Sequence, residues 1–402
     1  VRDPVASRLP NRKAKEVFQR IRLKGTISKQ ELQEATGYTI STLTRLLEEL
    51  VELRFIEETG FGESTGGRRP TLYRIRADYG YVLGLDISRA TSRIVLCDMH
   101  LNKLDSVIWP MNSRSTPEHL IDAAVAAAKA MLAKHHIQHG DVLGIGIGAV
   151  GPLDRHAGMI FDPQGFPAEG WMSIPICRIL NERLALPVYL DNGANTALLG
   201  EYWSDPVHRS DHMLYVHVGV GIRSAVMVGG KIAHGAFDME GAVGQMIIQS
   251  DGAAPISGKG NYGAWESYVT THALVRTAVS QIKRGRESRM CGMVEDVEQL
   301  TYAHLEQAYA EGDPLAREIY LNAAASFGIG LANLLNILHP EIVILGGPIA
   351  GHIDCFYDDG IRIAIQNTYY YPEYQVKFLK SRLQDDAVAI GAASMVIQQL
   401  SI

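Results

Sequence analysis

Cysteine is scarce in this chain. Its 402 residues hold four, Cys97, Cys177, Cys291 and Cys355, far apart and with no CxxC pair. That spacing excludes a disulfide framework or a cysteine-rich zinc site and fits a reducing cytoplasm. No uninterrupted apolar stretch reaches the roughly 18 residues of a bilayer span, so no membrane partner is expected. The opening Val1-Arg2-Asp3-Pro4 lacks a signal-peptide core, and its missing Met is read as trimming. What remains is ordinary globular composition, 47% hydrophobic and 20% charged. The length suffices for two or three domains with sizeable cores. Charge is unevenly spread. Residues 1–80 carry 15 Lys and Arg against 11 Asp and Glu, the rest 23 against 33, within a net charge of −6. A basic head on an acidic body fits nucleic acid meeting the head alone.

The head has a helical rhythm. Asn11 to Lys24 places Val17, Phe18, Ile21 and Leu23 as the apolar positions of a first helix. Ser28-Lys29-Gln30-Glu31 is a capping box opening a second helix, with Leu32 and Ala35 on its inner face and Gly37 as its stop. A third helix runs from about Thr39 to Leu53. Leu43, Leu46, Leu47 and Leu50 form one buried stripe, and Ser41, Thr42, Thr44 and Arg45 face the other way. Two helices joined by so short a turn, the second with polar residues at its start, form the helix-turn-helix pattern. Phe55 to Glu58 and Thr71 to Ile75 read as strands around a glycine-rich tip, Gly60 to Gly67, which makes a wing. Arg68 and Arg69 beside that tip suit a narrow, electronegative minor groove. Lys13 and Lys29 are candidate phosphate contacts.

From Tyr81 onward strands alternate with helices, an α/β texture. Strands are predicted at 81–87, 92–99, 142–147, 188–190, 213–217, 224–228 and 342–345. Helices are expected at 117–135, 262–283 and around 314–338. Gly146-Ile147-Gly148-Ala149-Val150-Gly151 fits the dinucleotide spacing, but Pro152-Leu153-Asp154 follows and no helix starts there to receive a pyrophosphate.

The segment Leu190-Asp191-Asn192-Gly193-Ala194-Asn195-Thr196-Ala197 resembles the sugar-site signature of the ROK family (repressors, open reading frames and kinases). Gly66-Gly67-Arg68-Arg69-Pro70 resembles the Gly-Arg-Gly-Arg-Pro element of that family's repressors, with its second and third positions exchanged. The order of motifs along nearly the whole chain is similar to ROK regulators of the NagC/XylR type. The resemblance implies a winged helix-turn-helix over 1–78 and a two-lobed body of the actin and hexokinase (ribonuclease H-like) type. The first lobe would be 79–195, completed by the C-terminal segment 386–402, its helix placed after Gly391-Ala392-Ala393. The second would be 196–385, with dimerisation helices.

The resemblance also marks departures. The family's kinases carry an Asp where this chain has Gly193, and that Asp takes the proton from the attacking sugar hydroxyl; glycine cannot. Their first phosphate loop, Asp-x-Gly-Gly-Thr, is here Asp86-Ile87-Ser88-Arg89-Ala90-Thr91. Their second, Gly-Thr-Gly-x-Gly-Gly-Gly, is Gly219-Val220-Gly221-Ile222-Arg223-Ser224-Ala225. The family's zinc is held by a His and three Cys. Gln245, Ser257, Lys259 and Ala264 stand at those positions, and none is a good zinc ligand, so no metal or other cofactor is expected. Tyr262 and Trp265 are expected to hold that loop by packing. Asn192 and Glu266 match sugar-binding groups. Gln245 and Gln164 are approximate ones, Asp191 and Asn195 flank the site, and Gly170-Trp171 resembles the rim.

The expectation is a homodimeric, cytoplasmic, DNA-binding repressor of carbohydrate genes, with a kinase-dead body that senses a sugar. Two other readings stand beside it. One is a sugar kinase with an added head, using Asp191 as its base. The other is a repressor governed by a protein partner.

Overall fold

The computed structural model describes residues 4–62, 69–163, 165–237, 241–256 and 258–401. The chain divides into two compact units, residues 1–209 with 386–402, and residues 210–385.

The first unit begins with the head. Helix α1 (Arg12–Lys24) is capped by Asn11, whose side chain accepts from the Ala14 N–H at 3.0 Å, and it buries Ala14, Val17, Phe18 and Ile21. Strand β1 (Thr26–Ser28) leads into α2 (Lys29–Thr36) through the full capping box. Ser28 Oγ accepts from Glu31 N at 3.2 Å and Glu31 Oε2 accepts from Ser28 N at 2.8 Å. Gly37 ends α2 in the left-handed region, φ 70°, where a Cβ would be strained. Helix α3 (Ile40–Glu52) buries Leu43, Leu46, Leu47 and Leu50. Each such burial contributes about 1.5–3 kcal/mol. Ala35, expected inside, is exposed; an eight-residue helix needs only Leu32 to anchor it. Strands β2 (Ile56–Phe61) and β3 (Thr71–Ile75) pair antiparallel, and β1 joins them in the order β1-β3-β2.

The rest of this unit is a five-stranded sheet, order β10-β7-β4-β5-β6. Its strands are β4 (Tyr81–Ile87), β5 (Thr91–Cys97), β6 (Lys103–Pro110), β7 (Val142–Ala149) and β10 (Val188–Asn192). The first three run as an antiparallel meander, and β7 and β10 add in parallel to β4. Between β7 and β10 lie the small hairpin β8 (Leu153–Asp154) and β9 (Met159–Ile160), then α5 (Ile176–Leu184). Helix α4 (Pro117–Lys134) packs on one face of the sheet. Helices α6 (Gly193–Ser204) and α13 (Ala387–Gln399) belong to the same unit, with α13 against β4 and β7. Three glycines permit this: a Cβ on Gly84 would stand 1.9 Å from Ala389 O, one on Gly146 1.8 Å from Ala392 O, and one on Gly391 1.6 Å from Thr196 O. Two expectations change here. The division falls after Arg209, not after Asn195, because α6 packs along α13. The terminal helix starts at Ala387 and contains Gly391-Ala392-Ala393, because those small residues make a close contact and do not mark a start.

The second unit repeats the plan, with order β13-β12-β11-β14-β15. Its strands are β11 (Met213–Val218), β12 (Ile222–Val228), β13 (Lys231–Ile232), β14 (Ile342–Gly346) and β15 (Lys377–Lys380). Again three strands meander and two follow in parallel. Its helices are α7 (Glu266–Val269), α8 (Thr271–Lys283), α9 (Tyr302–Ala310), α10 (Pro314–Leu338), α11 (Gly347–His352) and α12 (Asp354–Gln366). The single helix expected over 262–283 is broken at Thr270, which is extended and caps α8. Helix α10, 25 residues with an 18-residue window of mean hydropathy 1.4, passes as a membrane span by length and composition. Half of that window is buried, and Tyr320, Phe327 and Leu331 of α10 are central to the unit's core.

Candidate functional site

On the head, the first turn of α3 presents a group of hydroxyls to solvent. Thr39 is extended and its Oγ1 accepts from Thr42 N at 3.3 Å. Its hydroxyl lies 3.2 Å from that of Ser41 and 2.9 Å from that of Thr42. Thr39, Ser41 and Arg45 are exposed, and Thr42 and Thr44 half-buried. Lys29 Nζ donates to Thr44 Oγ1 at 2.9 Å, so the α2 lysine joins the α3 residues in one polar patch. Thr44 Oγ1 in turn donates to Ile40 O at 2.8 Å. Lys13 stands apart on α1, its ammonium 5.1 Å from the centre of the Tyr38 ring. Thr39 and the 47% exposed Ile40 belong to this patch and were not singled out from sequence, although a Thr three residues before another hydroxyl is the cap signal. Arg69 is exposed where the wing returns to β3. Arg68 lies outside the described residues.

The residues expected to contact a sugar fall in both units, and each group is bonded within its own. In the first unit, β10 ends at Asn192, which caps α6; Gly193 is that helix's first residue. Asn192 Oδ1 accepts from Asn195 N at 2.9 Å. Asp191 Oδ1 accepts from Asn192 N at 2.8 Å and from Asn195 Nδ2 at 2.9 Å. Asp191, Asn192 and Asn195 are 7%, 4% and 5% exposed. The turn stands at the carboxyl ends of the parallel strands β7 and β10, the usual place for a ligand in such sheets. Gln164 lies outside the described residues. Trp171, in the rim motif, is buried, and its Nε1 donates to Ser115 O at 2.9 Å.

In the second unit, Gln245 Nε2 donates to Glu266 Oε1 at 2.6 Å, and Gln245 Oε1 accepts from Asn261 N at 2.9 Å. Asn261 Nδ2 reaches back to Gln245 O at 2.9 Å. A Cβ on Gly260 would stand 2.5 Å from Gln245 Oε1, so glycine is needed for this approach. Gln245 thus ties the loop through one amide. Trp265 is fully buried and fills the place expected of it, against Gly330. Tyr262 is 66% exposed and fills nothing, a correction: Gln245, not Tyr262, holds this end of the loop. Ser257 lies outside the described residues. Ala264 is buried with no donor atom, and both ends of the Gln245 amide are engaged, so this donor set does not fit a zinc ion. Among the described residues no three His, Cys, Asp or Glu side chains group as metal ligands.

The two turns that resemble the kinases' phosphate loops are bonded within themselves. Ser88 Oγ donates to Asp86 Oδ1 at 2.9 Å. Gly219 N donates to Gly221 O at 3.1 Å, so that amide is spent within the hairpin. Arg223, paired across the strands with His217, has a buried Nε with no partner.

A winged helix-turn-helix ahead of two like-folded α/β lobes defines the class: a winged-helix head on an actin-like body. The chain belongs to the ROK family, whose pattern matches residues 82–399. It is similar over 93% of its length to the xylose repressor of Caldicellulosiruptor bescii, at 29% identity and covering 92% of that protein. It is also 28% identical, over 68% of its length, to the glucokinase of Halalkalibacterium halodurans, covering 82% of it. Among solved structures, a ROK family transcriptional regulator, homolog of the E. coli Mlc protein, matches 97% of both chains with a TM-score of 0.78 at 20% identity.

Proposed function

We propose that this protein is a cytoplasmic, homodimeric transcriptional repressor of carbohydrate genes that responds to a sugar and transfers no phosphoryl group. The observation that carries the reading is the solvent-facing first turn of α3. Its hydroxyls and Arg45 occupy the place where a recognition helix meets base edges. Full-length similarity to xylose repressors supports it. Two-fold symmetry would let paired heads read a pseudo-palindrome, with Arg68 and Arg69 in the minor groove and Lys13 and Lys29 on phosphates.

For the body, Gly193 supplies no base, and Asp191 does not replace one. Its Oδ1 already holds two N–H groups of the turn, and the residue is 7% exposed. The closed phosphate turns argue the same way. In the first unit the proposed sugar contacts are Asn192 and Asp191; in the second, taken by itself, they are Gln245 and Glu266, and no metal is proposed there. The test incubates the full chain with a random-sequence duplex pool, then titrates the selected duplex with D-xylose and other pentoses and hexoses while ADP release is followed. Selection of a palindromic duplex, release by a sugar and no sugar-dependent ADP support the reading. Steady ADP release that disappears in Asp191→Ala would replace it with the kinase.

A further inference from the structure

Helix α6 starts at the sugar-site turn and ends against the head. Its first residue follows Asn192, and residues Gly193 to Tyr202 are all buried. It has little freedom to bend or slide alone, because Gly391 of α13 lies directly on Thr196 O and Gly148 of β7 on the Thr196 side chain. A displacement imposed at the Asp191–Asn195 turn is therefore carried along the helix to its other end.

At that other end two arginines meet. Arg22, in the last turn of α1, stacks over the Trp203 ring with its guanidinium carbon 3.7 Å from the ring centre. Arg22 Nη2 donates to Ser394 O of α13 at 3.4 Å, a long bond. Arg209 donates to Tyr202 O at 2.7 Å, to Trp203 O at 2.9 Å and to Leu23 O of α1. One guanidinium thus holds the carbonyl ends of α1 and α6 together, two negative helix poles that would otherwise repel.

The clamp is incompletely satisfied. Arg22 is 8% exposed, and its Nη1 and Trp203 Nε1 are buried without a partner. Burial, with Arg209 beside it, pushes the Arg22 guanidinium down to about 9 from its ordinary value of 12.5, so it stays charged at neutral pH. A buried cation and two unmet donors would gain water were the clamp to open, which lowers the cost of opening it.

We propose that Arg22, Trp203 and Arg209 form a coupling clamp through which the state of the Asp191–Asn195 turn is relayed along α6 to the DNA-binding head. The proposal rests on the repressor reading above and names its route of regulation. These three are positioning residues, touching neither sugar nor DNA.

The test is a double-mutant cycle on the full chain, read as affinity for a duplex selected from a random pool by the wild type. Asn192→Ala perturbs the turn without need of the natural effector. It is expected to change duplex affinity by about fivefold or more, and the change is expected to vanish in Arg209→Gln and in Arg22→Met. Trp203→Phe, which keeps a ring under Arg22, is expected to retain it. Where Asn192→Ala does not fold by circular dichroism, Asn195→Ala, which removes the tie to Asp191, takes its place. An equal fold-change in clamped and unclamped backgrounds overturns the clamp while leaving the repressor reading intact, as does no effect of the turn variants on duplex affinity. Failure to select any duplex sinks the DNA-binding reading, and the clamp with it.

Discussion

Helices α3 and α6 begin with the same device and end in opposite surroundings. Each is opened by an extended residue whose side-chain oxygen accepts from an N–H three residues on, Thr39 in one and Asn192 in the other. Around α3 the cap Thr39 and its neighbours Ser41 and Arg45 are exposed to solvent. Around α6 the cap is 4% exposed and its bonds are locked with Asp191 and Asn195. The difference teaches that one local signal serves two ends: a readable surface where the helix is half out, and a rigid lever where it is wholly in.

The comparison is most sharply broken at a glycine. Gly391→Ala forces a Cβ onto Thr196 O and is expected to cost about 3 kcal/mol or more, seen as a large fall in melting temperature. Ser41→Ala on α3 is expected to stay within about 0.5 kcal/mol of wild type in the same melt. Next in size is Arg45→Ala, expected to lose about 1–3 kcal/mol of affinity for a selected duplex while the melting temperature holds. Equal losses of stability at both helices would erase the distinction. The caps themselves come third. Asn192→Ala is expected to cost about 1–2 kcal/mol in urea unfolding, and Thr39→Ala about 0.5–1 kcal/mol, because only the first leaves its N–H groups without water.

The smallest effect is one of pH. The Ser28 N–H holds the Glu31 carboxyl below its ordinary value of 4.5, against a smaller opposing effect of burial. A depressed carboxyl contributes stability above the unfolded value and loses it as pH falls through the folded one. The melting-temperature gap between wild type and Glu31→Gln should therefore be open at pH 7 and close toward pH 3. A gap that persists at pH 3 would show the capping box to be idle.

Much of the head was legible because its signals are local. The Ser28–Glu31 box, Gly37 and the leucine stripe of α3 each state a boundary or a face within a few residues. Strand β6 (Lys103–Pro110) was not anticipated, since it lies at a sheet edge with half-exposed residues and no clean alternation. Strand β15 is four residues with lysine at both ends, and α12 opens at Ile353 without a side-chain cap. Gly391 misled because it was expected before the terminal helix, whereas it lies within that helix and admits another helix's backbone. In the candidate site, Asn192 and Gln245 were legible as positions. Their roles as turn and loop ties were not, because they depend on Asn195, Asn261 and Glu266 in the folded chain. The Arg22–Trp203–Arg209 group joins residues nearly two hundred positions apart, and no local pattern announces it.

The most direct test is duplex binding by the full chain, followed by fluorescence anisotropy across a salt series, beside a variant carrying Ser41→Ala, Thr42→Ala and Arg45→Ala. The account predicts tight binding by the wild type that weakens steeply with salt, and loss of sequence preference with retained weak, salt-sensitive binding in the variant. Wild type and variant preferring the same sequence with the same affinity would contradict it.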